Sequence, residues 1–192
     1  VLFRSKKFGY GAIRYFLLAS HYRNPVNFSE AILAQSAAAL ERLQNCRENL
    51  AFRLENAGNA TDAPSLAAEA EQIMARKADF LAAMDDDFNT ANAIAVLFEI
   101  TRDINTLLKN ESVSADILRT LLGFYDELLG LFGFLPEEKT VDGDAEIEAL
   151  VAERTKAKKE KDYQKADELR ARLKEMGVTL EDTPQGTKWK KA

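Results

Sequence analysis

One cysteine and one histidine in 192 residues exclude most protein metal chemistry at the outset. A structural zinc site takes four Cys/His ligands and a catalytic one usually three protein ligands, so Cys46 and His21 build neither. A lone cysteine also excludes an internal disulfide and fits a reducing cytosol, from which a cytoplasmic location is expected. With no second histidine and no nucleophile paired to a base, a small complete enzyme is a poor fit. No Gly-rich phosphate loop, Walker pattern or Gly-x-Ser-x-Gly elbow occurs. No apolar run reaches the ~18 residues of a membrane span, and no signal-peptide pattern opens the chain at Val1. Breakers are also scarce, with 9 Gly and 4 Pro, while Ala, Leu, Glu and Lys abound. That composition favours helices.

The apolar spacing bears this out. A first helix is expected near Gly11 to Arg23, on Ile13, Phe16, Leu17 and Tyr10, ending at Asn24-Pro25 because proline disfavours α geometry in the residue before it. Ser29 is placed to cap a long second helix running through Leu33, Leu40, Leu43 and Leu50 to Leu54, with Phe28 and Leu33 as a hydrophobic staple. Cys46 lies on its apolar side and is expected as a small buried hydrophobe. Turn chemistry over 56–65 predicts a loop. One helix is then expected from Ser65 to about Ala83, a fourth from Asn89 or Thr90 to about Lys109, and a fifth from Ser114 to Leu131. Between them, Asp85-Asp86-Asp87 lacks the alternation of a calcium loop. Its acids suit the positive end of the next helix and are expected to fix the loop. His21, near the end of the first helix, is read as a capping cation or a packed residue.

The segment from Gly133 to Asp144, with its proline, two glycines and acidic residues, reads as a domain boundary. Beyond it, one helix is expected from Ala145 to about Glu160, and a second is capped by Asp162 and stopped by Gly177. A Pro-x-Gly turn between two alternating runs predicts a short hairpin. The fold expected is therefore all-α: an antiparallel helical bundle over 1–134, a linker at 135–144, and over 145–192 a small module of two helices and a short β-hairpin.

Charge divides along the same line. Residues 1–150 hold 14 basic and 23 acidic side chains, net −9, and residues 151–192 hold 12 and 8, net +4, within an overall −5. A basic terminal segment is a pointer to nucleic acid. Lysines and arginines release counterions from phosphates, and Tyr163 and Trp189 offer flat surfaces for unstacked bases. Asp167 and Asp182 stand out in an anion-binding surface. A carboxylate accepts from guanine N1–H and N2–H or cytosine N4–H, so these two are candidates for reading base edges. The plain alternative is a solvated Lys/Glu helix with a tryptophan in its small core.

Three blocks then carry a resemblance: Arg14-Tyr-Phe-Leu-Leu-Ala-Ser-His-Tyr-Arg-Asn-Pro-Val-Asn-Phe-Ser29, Ala83-Met-Asp-Asp-Asp-Phe-Asn-Thr90, and the stretch from Ala166-Asp-Glu-Leu-Arg through Gly177-Val-Thr-Leu-Glu-Asp to Thr187-Lys-Trp189. In order and spacing they resemble the C-terminal part of bacterial cysteinyl-tRNA synthetases, a DALR-type helical domain followed by an anticodon-binding module. The positions of the DALR signature read Gly11-Ala12-Ile13-Arg14 here, with the arginine kept.

The resemblance implies a division of labour. The family joins cysteine to its tRNA through an adenylate formed from ATP, in a catalytic domain with a HIGH-type motif, a KMSKS-type loop and a thiolate-gripping zinc. This chain has none of these, so no catalytic residue, cofactor or metal ligand is expected in it. The expected partners are a cysteine tRNA and the catalytic domain of the same enzyme, with no membrane. By position in the matching block, Asp167 and Asp182 would accept from base edges of the anticodon GCA. Lys158 and Arg170 would hold phosphate or base oxygens, Tyr163 and Trp189 would stack or buttress, and Lys190 would add a phosphate contact. Arg14, Tyr22 and Arg23 are candidates for a tRNA-stem or interdomain contact. The rival reading is a helical protein-interaction domain without RNA affinity.

Overall fold

The computed structural model describes the backbone of residues 2–57, 64–136, 144–160, 162–183 and 186–191. Side chains are described for 8–57, 64–136, 146–158, 160, 162–180, 187 and 189. Among these residues the chain forms eight helices and a two-stranded antiparallel hairpin, an all-α class. It divides into two units, Val1–Pro136 and Glu137–Ala192.

In the first unit, α1 (Leu2–Leu18) is interrupted at Gly9, whose φ of 75° and ψ of 160° are open to glycine. Gly11 sets the approach of α1 to α2 (Glu30–Glu55), since a Cβ there would stand 2.9 Å from Leu40 Cδ2. The buried face of α1 is Ala12, Tyr15 and Phe16, whereas Tyr10 and Leu17 are exposed. Helix α1 also stops five residues short of the expected Arg23. Thr90, 72 residues away, donates its hydroxyl to the Leu18 carbonyl at 2.7 Å, and the chain turns with Asn24 N bonded to His21 O at 2.9 Å. An orphan carbonyl of the last turn is thereby satisfied from another helix.

Ser29 caps α2, accepting from Ile32 N at 3.2 Å, and Phe28 meets Phe16 edge-on with centroids 5.5 Å apart. The single helix expected over 65–83 is two, α3 (Pro64–Ala75) and α4 (Lys77–Asp85). At Arg76 the backbone tightens to a three-residue turn (ψ −8°, amide to Ile73 O). Its guanidinium pairs with Glu99 at 2.9 Å and Asp103 at 2.8 Å. Both acids lie on α5 (Thr90–Leu107), which Asn89 caps through Asn92 N. Ser114 caps α6 (Ala115–Phe132). Gly133 ends α6 in the left-handed region (φ 62°), with Phe134 N closing back on Leu129 O, a Schellman arrangement.

The core gathers α1 to α6, with Leu33, Leu43, Leu50, Phe80, Leu97, Ile100, Leu121 and Leu128 fully buried. At its centre the Tyr125 hydroxyl lies 2.7 Å from Thr101 Oγ1 and donates to Leu43 O at 3.3 Å. Arg47 on α2 grips Asp126 on α6 through two parallel bonds of 2.7 and 3.0 Å. No helix among the described residues is long and apolar enough to cross a membrane.

Burial pushes the Cys46 thiol up to about 12 and raises Tyr125 as well. Both groups fold in their neutral forms. Their contribution is complete below the ordinary thiol value of 9.0 and is lost as pH climbs from there toward about 12. The melting temperature of the chain should therefore fall steeply between pH 9 and 11, and Cys46→Ala should flatten part of that fall in a differential scanning series.

Candidate nucleic-acid interface

The second unit is built on a small core. Ile147, Leu150 and Val151 of α7 (Asp144–Lys159), Leu173 of α8 (Tyr163–Glu175) and Val178 of β1 (Val178–Thr183) are buried together. Leu169, Met176, Leu180 and Trp189 pack on this cluster half-buried. Asp162 caps α8 by accepting from Lys165 N at 3.1 Å. Gly177 (φ 75°) turns the chain from α8 into β1, a left-handed step that glycine takes without a Cβ penalty. β1 pairs antiparallel with β2 (Gly186–Lys191), and Leu180 stands opposite Trp189, Thr179 opposite Lys190 and Asp182 opposite Thr187.

This frame places four exposed side chains on one stripe of α8: Tyr163, Asp167, Arg170 and Lys174. Their spacing of four, three and four residues is that of a single helical face. Asp167, Arg170, Ala171 and Lys174 line a groove of about 410 Å³ whose opposite wall is Val178, Thr179 and Leu180 of β1. The groove falls within the size range of small-ligand clefts. A carboxylate acceptor, a guanidinium fork, an ammonium and a hydroxyl surround it, and Tyr163 stands at the helix start, 64% exposed. Such a groove can take a flat heterocycle edge-on and an anionic backbone beside it.

Of the residues expected from sequence, Asp167 and Arg170 share the groove and Tyr163 continues their stripe. Lys158 lies one helix earlier, exposed in the last turn of α7. Trp189 packs on the module's core, the position of a buttress. The side chains of Asp182 and Lys190 lie outside the described residues. The groove adds Lys174 and Thr179 to the residues expected from sequence. The Lys174 signal is its phase with Asp167 and Arg170, whereas Thr179 becomes visible only when β1 folds beside α8.

The basic charge is less uniform than its count. Lys165 pairs with Glu153 at 2.7 Å, Arg172 with Glu146 at 3.0 Å and Lys156 with Glu160 at 4.0 Å. The hydrogen bond and charge of Lys165 lower the Glu153 carboxyl, and Glu153 raises Lys165 in turn. Arg154 departs furthest from a solvated basic face. It is 4% exposed, and its Nη1 reaches Thr187 Oγ1 on β2 at 3.5 Å. The helical phase of Ile147, Leu150, Val151 and Arg154 carried that signal.

The remaining candidates belong to the first unit. The Arg14 guanidinium donates to Gly133 O at 2.7 Å and closes the C-terminus of α6, and an added Cβ at Gly133 would collide with it. Tyr22 and Arg23 both donate to Asp87, at 2.8 and 3.1 Å. Cys46 is buried with its sulfur toward Thr101 O, and no group of three or more His, Cys, Asp or Glu suited to a metal occurs among the described residues.

The placement of Arg14 predicts a structural effect. Arg14→Ala should lower the stability of the first unit by about 1 kcal/mol, the scale of one partly exposed charged hydrogen bond. Thermal unfolding measures that.

Two family models match the chain, the DALR domain over residues 79–136 and the cysteinyl-tRNA ligase anticodon binding domain over residues 140–189. The cysteine–tRNA ligase of Bacillus pumilus (strain SAFR-032) is 40% identical over 181 residues, covering 93% of this chain and 38% of the relative. That of Clostridioides difficile (strain 630) is 41% identical over 190 residues, covering 97% of this chain and 40% of the relative. That of Shouchella clausii (strain KSM-K16) is 43% identical over 183 residues, with 93% and 38% covered. The chain thus spans 38–40% of the length of the curated relatives it matches.

Proposed function

From its membership of the cysteine–tRNA ligase family, carried by the DALR and anticodon-binding domains, we propose that this chain binds a cysteine tRNA and that its second unit reads the GCA anticodon. The observation that carries the reading is the α8 stripe over the groove, with Asp167, Arg170 and Lys174 facing Thr179 inside the segment matched as an anticodon-binding domain. Asp167 is an acceptor for guanine or cytosine donors. Arg170 offers a fork that fits base oxygens or a phosphate. Tyr163 supplies a stacking face beside them. Lys158 and Lys190 add phosphate contacts, Asp182 a second acceptor, and Trp189 holds the hairpin strand against the core. The internal ion pairs favour this division, because they reduce the bulk positive field and leave discrimination to a few oriented groups.

On this reading the chain supplies binding energy and specificity to ATP-dependent cysteine–tRNA ligation in the cytoplasm. A catalytic domain outside these residues performs the chemistry with ATP and zinc, and is a partner of this chain.

Fluorescence anisotropy tests the anticodon claim with cysteine tRNA and the same tRNA carrying a changed anticodon, each at two salt concentrations. The chain should prefer the native anticodon, and equal affinity for both would reject the reading. Asp167→Ala should remove about 1–3 kcal/mol of that preference. Lys190→Ala should weaken both tRNAs alike and reduce the salt slope by about 1.

A further inference from the structure

The turn between α4 and α5 holds a backbone outlier that the tRNA reading does not use. Asp87 and Phe88 are consecutive non-glycine residues at φ 56° and 51°, a left-handed region where a side chain is sterically penalised. The turn is fixed from within by Phe88 N to Met84 O at 3.1 Å and Asn89 N to Ala83 O at 3.2 Å. It is also clamped from the α1–α2 loop. The Asp87 carboxylate takes Tyr22 Oη at 2.8 Å and the Arg23 guanidinium at 3.0 Å, with His21 Nε2 at 3.8 Å. His21 stacks on Tyr22 with centroids 4.8 Å apart, and Arg23 covers the same tyrosine at 5.5 Å.

All this geometry serves to hold a phenylalanine in solvent. Phe88 is 70% exposed and the neighbouring Tyr22 is 62% exposed. In this unit the Phe88 ring gains little burial to offset its strained backbone. We infer that the Phe88–Tyr22 surface docks the part of a cysteine–tRNA ligase that this chain does not span, through an apolar pocket with a basic rim that receives the Phe88 ring. This rests on the proposed partnership with a catalytic domain and names the surface through which it acts.

Two observations select a protein occupant. The curated relatives continue well beyond the matched region, which is only 38–40% of their length. The charge around the ring is also of the wrong sign for RNA: Asp85, Asp86 and Asp87 are all exposed beside Phe88, against Arg23. With Asp87 held by Arg23, Asp85 and Asp86 remain to repel a phosphate backbone and attract lysines or arginines.

The test is a chimera in which this chain replaces the matching part of the Clostridioides difficile relative, compared with this chain alone by amide hydrogen exchange over 84–90. Exchange there should slow by about tenfold or more in the chimera without tRNA. Phe88→Gly should return the chimera to the rate of the isolated chain. In the isolated chain the same substitution should leave the melting temperature unchanged or higher, because glycine accepts φ near 50°. That separates docking from folding. Unchanged exchange in the wild-type chimera, or protection that survives Phe88→Gly, overturns the inference. Protection that appears only when cysteine tRNA is added overturns it too, by making RNA the occupant. Normal protection in the chimera with no tRNA binding in the anisotropy assay rejects the tRNA-reading function and leaves the docking surface standing.

Discussion

The first unit depends on one buried hydroxyl. Tyr125 reaches from α6 to the Leu43 carbonyl of α2 and the Thr101 hydroxyl of α5. Three helices thus meet at a point that only one rotation of each satisfies. Apolar packing alone tolerates rotations of a helix about its axis, whereas a buried donor with fixed acceptors does not. Once those three are set, Arg47 meets Asp126 at the α2–α6 seam and Cys46 is enclosed. Arg76 can then find Glu99 and Asp103 on the outer side of α5.

The second unit solves a different problem, because among the described residues the cluster of Ile147, Leu150, Val151, Leu173 and Val178 is a thin core for two helices and a hairpin. Cross-element polar contacts supplement it. Glu153 to Lys165 and Glu146 to Arg172 tie α7 to α8, and Arg154 links α7 to β2. These bonds spend part of the basic charge on holding the module together. What remains on the α8 stripe is mixed in sign and fixed in direction. Bulk positive charge raises affinity for any RNA, and a carboxylate among cations discriminates between bases, so neutralising part of the field favours selectivity.

The sequence carried the features whose physics is local. Ser29, Asn89, Ser114 and Asp162 cap helices through bonds to amides three residues on. Gly133 and Gly177 end helices in conformations that glycine adopts freely. Asp167 and Arg170 stand three residues apart, a spacing that puts both on one helical face. Features that depend on distant chain were not visible. The end of α1 is set by Thr90, and the break at Arg76 accompanies acids 23 and 27 residues away. The opposite wall of the groove needed β1 in place. The triple aspartate was legible as a loop-fixing element, but its partners Tyr22 and Arg23 are more than 60 residues distant.

Arg14 and Phe88 show why resemblance and structure have to be read together. Both fall in blocks that resemble the family, and the sequence leaves Arg14 open to contact with RNA or with another domain while it gives Phe88 no role. The structure separates them by their own energetics. Arg14 is engaged inside the unit, since its guanidinium donates to the Gly133 carbonyl at the closed end of α6. Phe88 is the opposite case: its backbone is unfavourable and its ring is in water. A residue whose local interactions are complete is explained by the fold that contains it. One whose local interactions are unfavourable, in a turn clamped by Tyr22, Arg23 and its own backbone bonds, draws its compensation from a surface beyond that fold.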